Sequence, residues 1–128
     1  MTHPANARAA YLGNSVTTAS PARLLVMLVE RLVLDVERGL AAQDAQDWPE
    51  AHRHLVHAQD VVGELAASLQ PERMTGGPQL AALYEYLRRS LVESNVGRDA
   101  SLTSALLPIV RQLCDTWRTA ALTPAGVD

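Results

Sequence analysis

Apolar side chains recur every three or four residues along four stretches of this 128-residue chain. In the most regular stretch they alternate between steps of four and three residues, at Ala51, Leu55, Ala58, Val62, Leu65 and Leu69. This spacing aligns the side chains along one face of an α-helix and does not fit the two-residue period of a strand. Because short polar breaks separate the stretches, and each has a face to bury, we predict an all-α fold: an antiparallel up-down-up-down four-helix bundle.

Residues that favour helix starts divide the first half of the chain. Ser20 is a good N-cap and Pro21 suits the first helical position, so helix one is predicted from there to about Gln43. Asp47, with Glu50 three residues later, predicts the start of helix two, which extends to about Leu69.

The second half of the chain repeats this organisation. The Gly- and Pro-containing stretch 70–79 is typical of a loop. Helix three is predicted from about Leu80 to a C-terminal end at 95–97, and helix four from Asp99 onward.

The two chain ends lack a sustained apolar period, which is typical of irregular termini. We therefore predict a flexible N-terminal leader over 1–18, a helical bundle domain over 19–122 and a disordered tail over 123–128. The leader is also a candidate to fold back on the bundle as a short cap helix.

Charge, hydropathy and cysteine content exclude several functional classes. The formal net charge is −3, whereas nucleic-acid binding favours a basic face. Glu30, Arg31 and Asp35 interrupt the best membrane-span candidate, so we expect no membrane insertion. The N-terminus lacks the apolar core of a signal peptide, and the lone Cys114 cannot form an internal disulfide, so we expect a cytoplasmic location.

Helix one is apolar over more than the face that a bundle core needs. Ten of the thirteen residues in 24–36 are apolar. Most share one broad side, but Met27 and Leu34 fall among charged residues, seven positions apart and therefore in line along the helix. Two interpretations remain open: scattered surface apolar residues, which are common, or an apolar stripe that contacts another chain.

His52, His54 and His57 form a cluster of candidate functional side chains in helix two. His54 and His57 can share a helix face as a weak metal pair, but a firm zinc site needs three or four converging ligands. Solvated polar-face residues are therefore the favoured interpretation. A histidine on a four-helix bundle also suggests a phosphotransfer module, although Asp60, close after His57, would repel a phosphoryl group. Because phosphate loops and nucleophile elbows are lacking, we predict no enzyme activity, no cofactor and no metal.

The few aromatic residues and the cysteine have distinct predicted environments. Tyr84 and Trp117 fit core positions, whereas Tyr86 falls off the seam of helix three and is predicted to be exposed. Trp48 lies at the start of helix two, and Cys114 is interpreted as a small buried hydrophobe.

Tyr11 precedes every predicted helix, with Leu12 and Val16 close by. The segment is either an incidental part of the leader, or it folds back on the bundle and covers an apolar groove.

Three segments occur in a distinctive order: AYLGNSVTTASPARLLVMLVERLV, LAALYEYLRRSLVESNVGRD and CDTWR. Together they resemble the FliS family, which shows a Tyr-containing leader, a Val-x-Thr-Ala-Ser-Pro-like helix start, a Leu-Tyr-x-Tyr segment, a later asparagine and aspartate, and a late tryptophan. The resemblance spans about residues 10–118. The matching positions are Tyr11, Val16, Thr18, Ala19, Ser20, Pro21, Leu24, Leu25, Met27, Leu28, Leu83, Tyr84, Tyr86, Leu87, Asn95, Asp99 and Trp117.

The chain departs from that family at two places. Val29, followed by Glu30, stands where the family usually has a tyrosine followed by an acidic residue. Pro108 lies inside helix four, where it removes a backbone donor and crowds the carbonyl of Ser104. We therefore expect either a kink, or a short first segment followed by a helix that restarts near Leu107.

The resemblance implies a chaperone that binds the C-terminal segment of flagellin, which is disordered alone and lies in apolar grooves. Such binding prevents premature polymerisation and aids export through the flagellar type III secretion apparatus. Export components or a co-chaperone are further candidate partners, and the expected free form is a monomer or weak homodimer. The alternative function is a histidine phosphotransfer-type signalling module. The candidate partner-binding residues are Tyr11, Leu12, Val16, Met27, Leu34 and Tyr86.

Overall fold

The computed structural model describes residues 20–122, which form a bundle of four α-helices. The elements, in chain order, are α1 Pro21–Asp44, α2 Trp48–Ser68, a 3₁₀ turn Pro71–Arg73, α3 Gly77–Val96 and α4 Ala100–Leu122. The predicted all-α four-helix architecture is confirmed. The predicted leader, with any cap helix that it forms, and the predicted tail lie outside the described residues.

Side-chain caps set the helix starts that the sequence indicates. Ser20 has an extended backbone, and its Oγ accepts a hydrogen bond from the Arg23 amide at 3.1 Å. Asp47 Oδ1 accepts one from the Glu50 amide at 3.3 Å at the start of α2. These contacts satisfy donors that the first turn of a helix leaves unpaired. The predicted starts of α1 and α2 are therefore confirmed.

The connection between α2 and α3 is more ordered than the predicted loop. It contains the 3₁₀ turn, and α3 begins at Gly77, three residues before the expected start at Leu80. Pro78 is pre-set for the first turn of a helix. A Cβ at Gly77 would lie 2.1 Å from the carbonyl oxygen of Pro71, so this close approach of the 3₁₀ turn and α3 requires glycine.

Pro108 does not interrupt α4. The helix runs from Ala100 to Leu122 with the proline inside it, so the expected restart near Leu107 is wrong. Pro108 itself is exposed, whereas Leu107 and Val110 on either side are buried in the core. We attribute the continuity to these core contacts, which offset the missing backbone donor.

Each helix packs antiparallel against its neighbour in sequence, and α4 returns to pack against α1. The ion pairs Glu37–Arg111 and Glu30–Arg118, each at 3.0 Å, bridge α1 and α4 on the surface. The α1–α2 and α1–α4 pairs are the most extensive, whereas α3 and α4 pack least closely. The fully buried side chains of the core are Val29, Leu32, Val36, Leu55, Ala58, Val62, Leu87, Leu91, Leu106 and Val110.

The two halves of the bundle repeat the same helical hairpin. A shift of 52 residues carries the end of α1 at Asp44 onto the end of α3 at Val96, and the start of α2 at Trp48 onto the start of α4 at Ala100. We call α1 with α2 the first hairpin, and α3 with α4 the second hairpin. Under the same shift the buried Val62 corresponds to the buried Cys114.

The turns of the two hairpins share their backbone conformation. The amide of Asp47 donates to the carbonyl of Ala42 at 2.8 Å, and the amide of Asp99 donates to that of Ser94 at 2.9 Å. The residue before each aspartate is left-handed, with φ 57° at Gln46 and φ 50° at Arg98. Helix α3 thus ends at Val96, within the predicted region 95–97. The residue with the left-handed backbone is Arg98 and not the preceding Gly97.

Candidate functional site

A shallow apolar groove runs along the seam between α3 and α4, the least closely packed pair of helices. It has a volume of about 440 Å³. Its apolar lining consists of Leu80, Leu83, Ile109 and Leu113, and its polar lining of Gln79, Gln112 and Thr116. We call these seven residues the α3–α4 groove. Because the apolar side chains pack on the core yet line an open cleft, the groove can take up apolar side chains of another chain.

Tyr86 adds an aromatic surface to α3 beside this groove. It is 46% exposed. It follows Leu83 by three residues, so the two side chains lie on neighbouring positions of the same helix side. The exposed phenol ring and the groove are thus adjacent parts of the second hairpin.

Met27 and Leu34 lie on the outer side of α1, away from that surface. Met27 is 37% exposed, and Leu34 is half-buried. Among the described helices, α1 and α3 are diagonal in the bundle and do not pack against each other. The structure therefore does not bring Met27 and Leu34 together with Tyr86.

A second apolar recess lies at the end of the bundle where α1 begins. It has a volume of about 290 Å³. Its apolar lining consists of Leu25, Leu65, Leu69, Met74, Tyr84 and Trp117. Tyr84 is 2% exposed, which confirms its predicted core position, and burial raises the pKa of its phenol. Tyr11, Leu12 and Val16 lie outside the described residues, upstream of this end of the bundle.

The interpretation of the histidines as solvated polar-face side chains is wrong for His54. It is only 8% exposed, and its Nε2 lies 3.2 Å from Glu50 Oε2. Because α2 packs against both α1 and α3, its buried sector is wider than the narrow apolar seam read from the sequence. His52 is exposed, and its Nδ1 lies 2.9 Å from the side-chain nitrogen of Asn95 on α3.

His57 belongs to a charged cluster between α1 and α2 that the sequence did not reveal. Its Nδ1 hydrogen-bonds Oδ2 of Asp35, which is fully buried. Arg31 Nε lies 3.1 Å from Asp35 Oδ1, an ion-pair distance without the geometry of a hydrogen bond. A buried carboxylate is costly unless nearby charges compensate it, so the cluster serves the packing of α1 against α2. The same carboxylate disfavours a phosphoryl group on His57.

Outside the Asp35 cluster, other titratable groups form surface pairs within one helix or, as with Cys114, are buried singly. Arg53 lowers the pKa of Glu50, and Arg88 lowers that of Glu85, in each case by hydrogen bonding one turn away. Burial raises the pKa of the Cys114 thiol, in agreement with its predicted role as a core residue. Within 20–122, no group of three potential metal ligands converges.

Sequence reasoning missed the α3–α4 groove and the Asp35 cluster for one reason. Both depend on side chains from different helices, which only the packed bundle brings together. The sequence did carry a signal for the Asp35 cluster. Asp35 follows Leu28 by seven residues, about two helical turns, and therefore lies at the edge of the apolar face of α1.

Comparison with known proteins shows the family of the chain. The family model described as "Flagellar protein FliS" matches residues 4–124. The chain is 28% identical over 115 residues to the flagellar secretion chaperone FliS of Bacillus subtilis, spanning 90% of this chain and 86% of that protein. It is 28% identical over 106 residues to the flagellar secretion chaperone FliSB of Pseudomonas aeruginosa, spanning 80% and 82% of the two chains.

These matches agree with the structure and with the resemblance drawn from the sequence. FliS chaperones are not enzymes, which confirms that part of the prediction. Among residues 20–122, no helix has the length and apolar character needed to cross a membrane. The chain belongs to the FliS family of flagellar secretion chaperones.

Proposed function

We propose that this protein is a cytoplasmic chaperone that binds the disordered C-terminal segment of flagellin, prevents its premature polymerisation and aids its export through the flagellar type III secretion apparatus. Membership of the FliS family supports the chaperone role. The α3–α4 groove is the observation that carries the proposal of where the client binds. It is an apolar seam left open between the two neighbouring helices that pack least closely.

The size of the groove argues that the client also contacts other parts of the bundle. A disordered segment loses conformational entropy when it binds, and only a large buried apolar area offsets that loss. A groove of about 440 Å³ holds a few side chains rather than a whole segment. We therefore propose that the segment extends from the groove past Tyr86 and continues around the bundle to Met27 and Leu34 on α1.

Tyr11, Leu12 and Val16 complete the proposed surface. Val16 precedes Ser20 by four residues, and an extended chain spans at most about 3.6 Å per residue. The recess at this end of the bundle includes Leu25, in the second turn of α1. We propose that the leader contacts this recess until flagellin displaces it.

Calorimetry with a peptide of the flagellin C-terminal segment from the same organism tests the assignment of the groove. The variant Gln79→Glu with Gln112→Glu places two carboxylates in the lining without altering core residues. We expect its Kd to rise at least about tenfold, because a bound apolar segment would desolvate the charges. The matched control is Gln46→Glu with Gln59→Glu, which makes the same chemical change at positions that line neither the groove nor the recess at the start of α1.

Equal affinities of the two double variants would overturn the groove as the client site. Titrations are repeated at a second temperature, because a binding enthalpy near zero at one temperature hides the signal. Wild-type binding with a large negative heat-capacity change supports the proposed function, and absence of binding at both temperatures refutes it.

The outer stripe of α1 is tested separately with Met27→Glu and Leu34→Glu together. We expect weaker peptide binding with native helix content by circular dichroism, since both side chains point away from the centre of the core. Unchanged affinity would remove α1 from the proposed client path.

A further inference from the structure

A polar cleft with an aromatic wall lies between the two hairpin turns, at the end of the bundle opposite Ser20. It has a volume of about 470 Å³. Trp48 and His52 contribute to it from the start of α2, Val96 from the end of α3, and Arg98 from the turn between α3 and α4. Gln43, in the last turn of α1, also lines it. We call this region the turn cleft.

Arg98 supplies the turn cleft with a positive charge that is held in place. Its guanidinium carbon lies 4.9 Å from the centroid of the Trp48 ring, within the range of a cation–π contact. Among residues 20–122, Arg98 forms no ion pair. The aspartates of both turns have other donors: Asp47 accepts from the Glu50 amide, and Asp99 from the Leu102 amide. The guanidinium therefore remains available to an external anion.

Gln43 supplies a buried acceptor without a donor. The residue is 3% exposed, and its Nε2 donates to the carbonyl of Ser94 at 3.0 Å, which identifies the other terminal atom of the amide as the oxygen. Its Oε1 has no hydrogen-bond partner among the described residues. Buried polar atoms are normally paired, so an unsatisfied oxygen in a residue that lines a cleft indicates a place for an N–H donor.

The chemistry of the turn cleft points to a peptide. A backbone amide has the N–H that Gln43 Oε1 lacks, and a nearby carboxylate complements Arg98. Val96, which is 78% exposed, offers an apolar contact for a neighbouring side chain. We propose that the turn cleft binds an extended acidic peptide segment of a second protein, with its carboxylate on Arg98 and a backbone N–H directed to Gln43 Oε1 after a small side-chain adjustment.

This site is distinct from the surface proposed for flagellin. Gln43 lies nine residues beyond Leu34, the nearer of the two α1 residues in that surface, or about 14 Å along α1 at 1.5 Å per residue. The lining of the α3–α4 groove contains none of the residues of the turn cleft. The two sites therefore have room to be occupied together, so that an acidic segment of a partner binds the chaperone while the client is bound.

The test is an NMR titration of the ¹⁵N-labelled full-length protein. The probe is a pool of N-acetylated, C-amidated hexapeptides with a fixed glutamate at the third position and randomised flanking positions. The control pool has glutamine in place of that glutamate. The reporters are the Trp48 indole N–H, the Gln43 side-chain amide and the backbone amides of the turns. The variant Arg98→Gln is compared with Arg89→Gln, which removes the same charge from an exposed position of α3 outside the cleft.

We expect the glutamate pool, but not the glutamine pool, to shift these reporters saturably. The apparent Kd should rise at least about tenfold in Arg98→Gln and stay unchanged in Arg89→Gln, because only Arg98 contacts the carboxylate. Shifts at the reporters that free acetate reproduces at the same concentration would reduce the cleft to a simple anion site and overturn the peptide assignment. Absence of saturable shifts, or equal losses in the two variants, would also overturn it.

Discussion

The two hairpins share a register, but their helices are joined in different ways. In the first hairpin, α1 and α2 close against each other through the Asp35–His57 contact and the approach of Gly39 to Leu55. In the second hairpin, the seam between α3 and α4 is loosely packed and forms an apolar groove. The shift of 52 residues places the buried Leu87 where the first hairpin has Asp35.

This difference gives the second hairpin an open apolar seam, where we propose that the client binds, and the first hairpin a closed one. A seam closed by a hydrogen bond to a buried carboxylate and by a tight helix approach has no space for another chain. A seam lined by partly exposed leucine and isoleucine side chains does. The repeated hairpin thus shows that one backbone register can carry either a closed seam or an open one, depending on the side chains between the helices.

The largest expected effect concerns the tight approach in the first hairpin. Leu55→Ala should lower the free energy of unfolding by about 2–5 kcal/mol, because the side chain is fully buried. A Cβ at Gly39 would lie 2.7 Å from Leu55 Cδ2, so Gly39→Ala alone should also lower the free energy of unfolding. Overpacking costs about 1–3 kcal/mol, and the higher helix propensity of alanine offsets about 1 kcal/mol of that cost. The double variant Gly39→Ala with Leu55→Ala should lose less stability than the sum of the two single losses, because Leu55→Ala removes the side chain that the new Cβ would clash with.

Urea denaturation of the four proteins in this double-mutant cycle measures the coupling. Gly63→Ala is the control, since α2 has open space around that glycine, and it should stabilise by about 1 kcal/mol. Additive losses at positions 39 and 55 would show that the close approach does not constrain the first hairpin.

The next effect compares equivalent positions in α2 and α4. Val56 corresponds to Pro108 under the shift of 52 residues. Val56→Pro should cost about 3 kcal/mol or more, since it breaks a hydrogen bond in a helix that packs on both its neighbours. Pro108→Ala should instead stabilise by about 1 kcal/mol, because the new N–H can bond the Ser104 carbonyl and the exposed ring leaves no cavity. Thermal unfolding followed by circular dichroism measures both, and destabilisation by Pro108→Ala would contradict this account of α4.

Much of the fold could be predicted because it depends on local signals. The caps at Ser20 and Asp47 bond amides only three residues away. The seam of α2 repeats within a single helix, and the all-α bundle follows from burying four such faces. The helix restart expected near Leu107 was wrong because the local cost of proline is opposed by core packing from distant helices, which spacing alone does not reveal.

The candidate sites could be predicted only in part. The sequence singled out Tyr86 and Met27 from helical spacing, and both are exposed in the structure. The groove, the Asp35 cluster and the turn cleft each combine residues from different helices. Gln43 and Ser94, for example, are 51 positions apart yet hydrogen-bond. Periodicity reports which face a residue occupies, but not which residue of another helix lies opposite to it.

A smaller effect tests the charged seam of the first hairpin. Asp35→Asn keeps the shape but removes the charge, and we expect a loss of about 1–3 kcal/mol in the free energy of unfolding. The loss is limited because the side chains of Arg31 and His57 are 43% and 47% exposed and regain water contacts. His57→Gln should cost a similar amount, and the double variant less than the sum of the two. Urea denaturation at neutral pH measures these values; wild-type stability of Asp35→Asn would show that the carboxylate does not join α1 to α2.

The smallest effect compares the left-handed residues of the two turns. Gln46→Gly removes a conformational cost of about 1–2 kcal/mol, which the greater entropy of glycine in the unfolded chain offsets by about 0.4–1 kcal/mol. A net gain of about 0.5 kcal/mol or slightly more is therefore expected in the first turn. Arg98→Gly relieves the same strain but loses the contact with Trp48, worth about 0.5–1 kcal/mol at an exposed site, so its stability should stay close to that of the wild type. Urea denaturation of both variants tests whether the contact of Arg98 with Trp48 stabilises the second turn. Equal gains would mean that Trp48 does not hold the guanidinium in place, and the turn cleft would then lack a fixed charge.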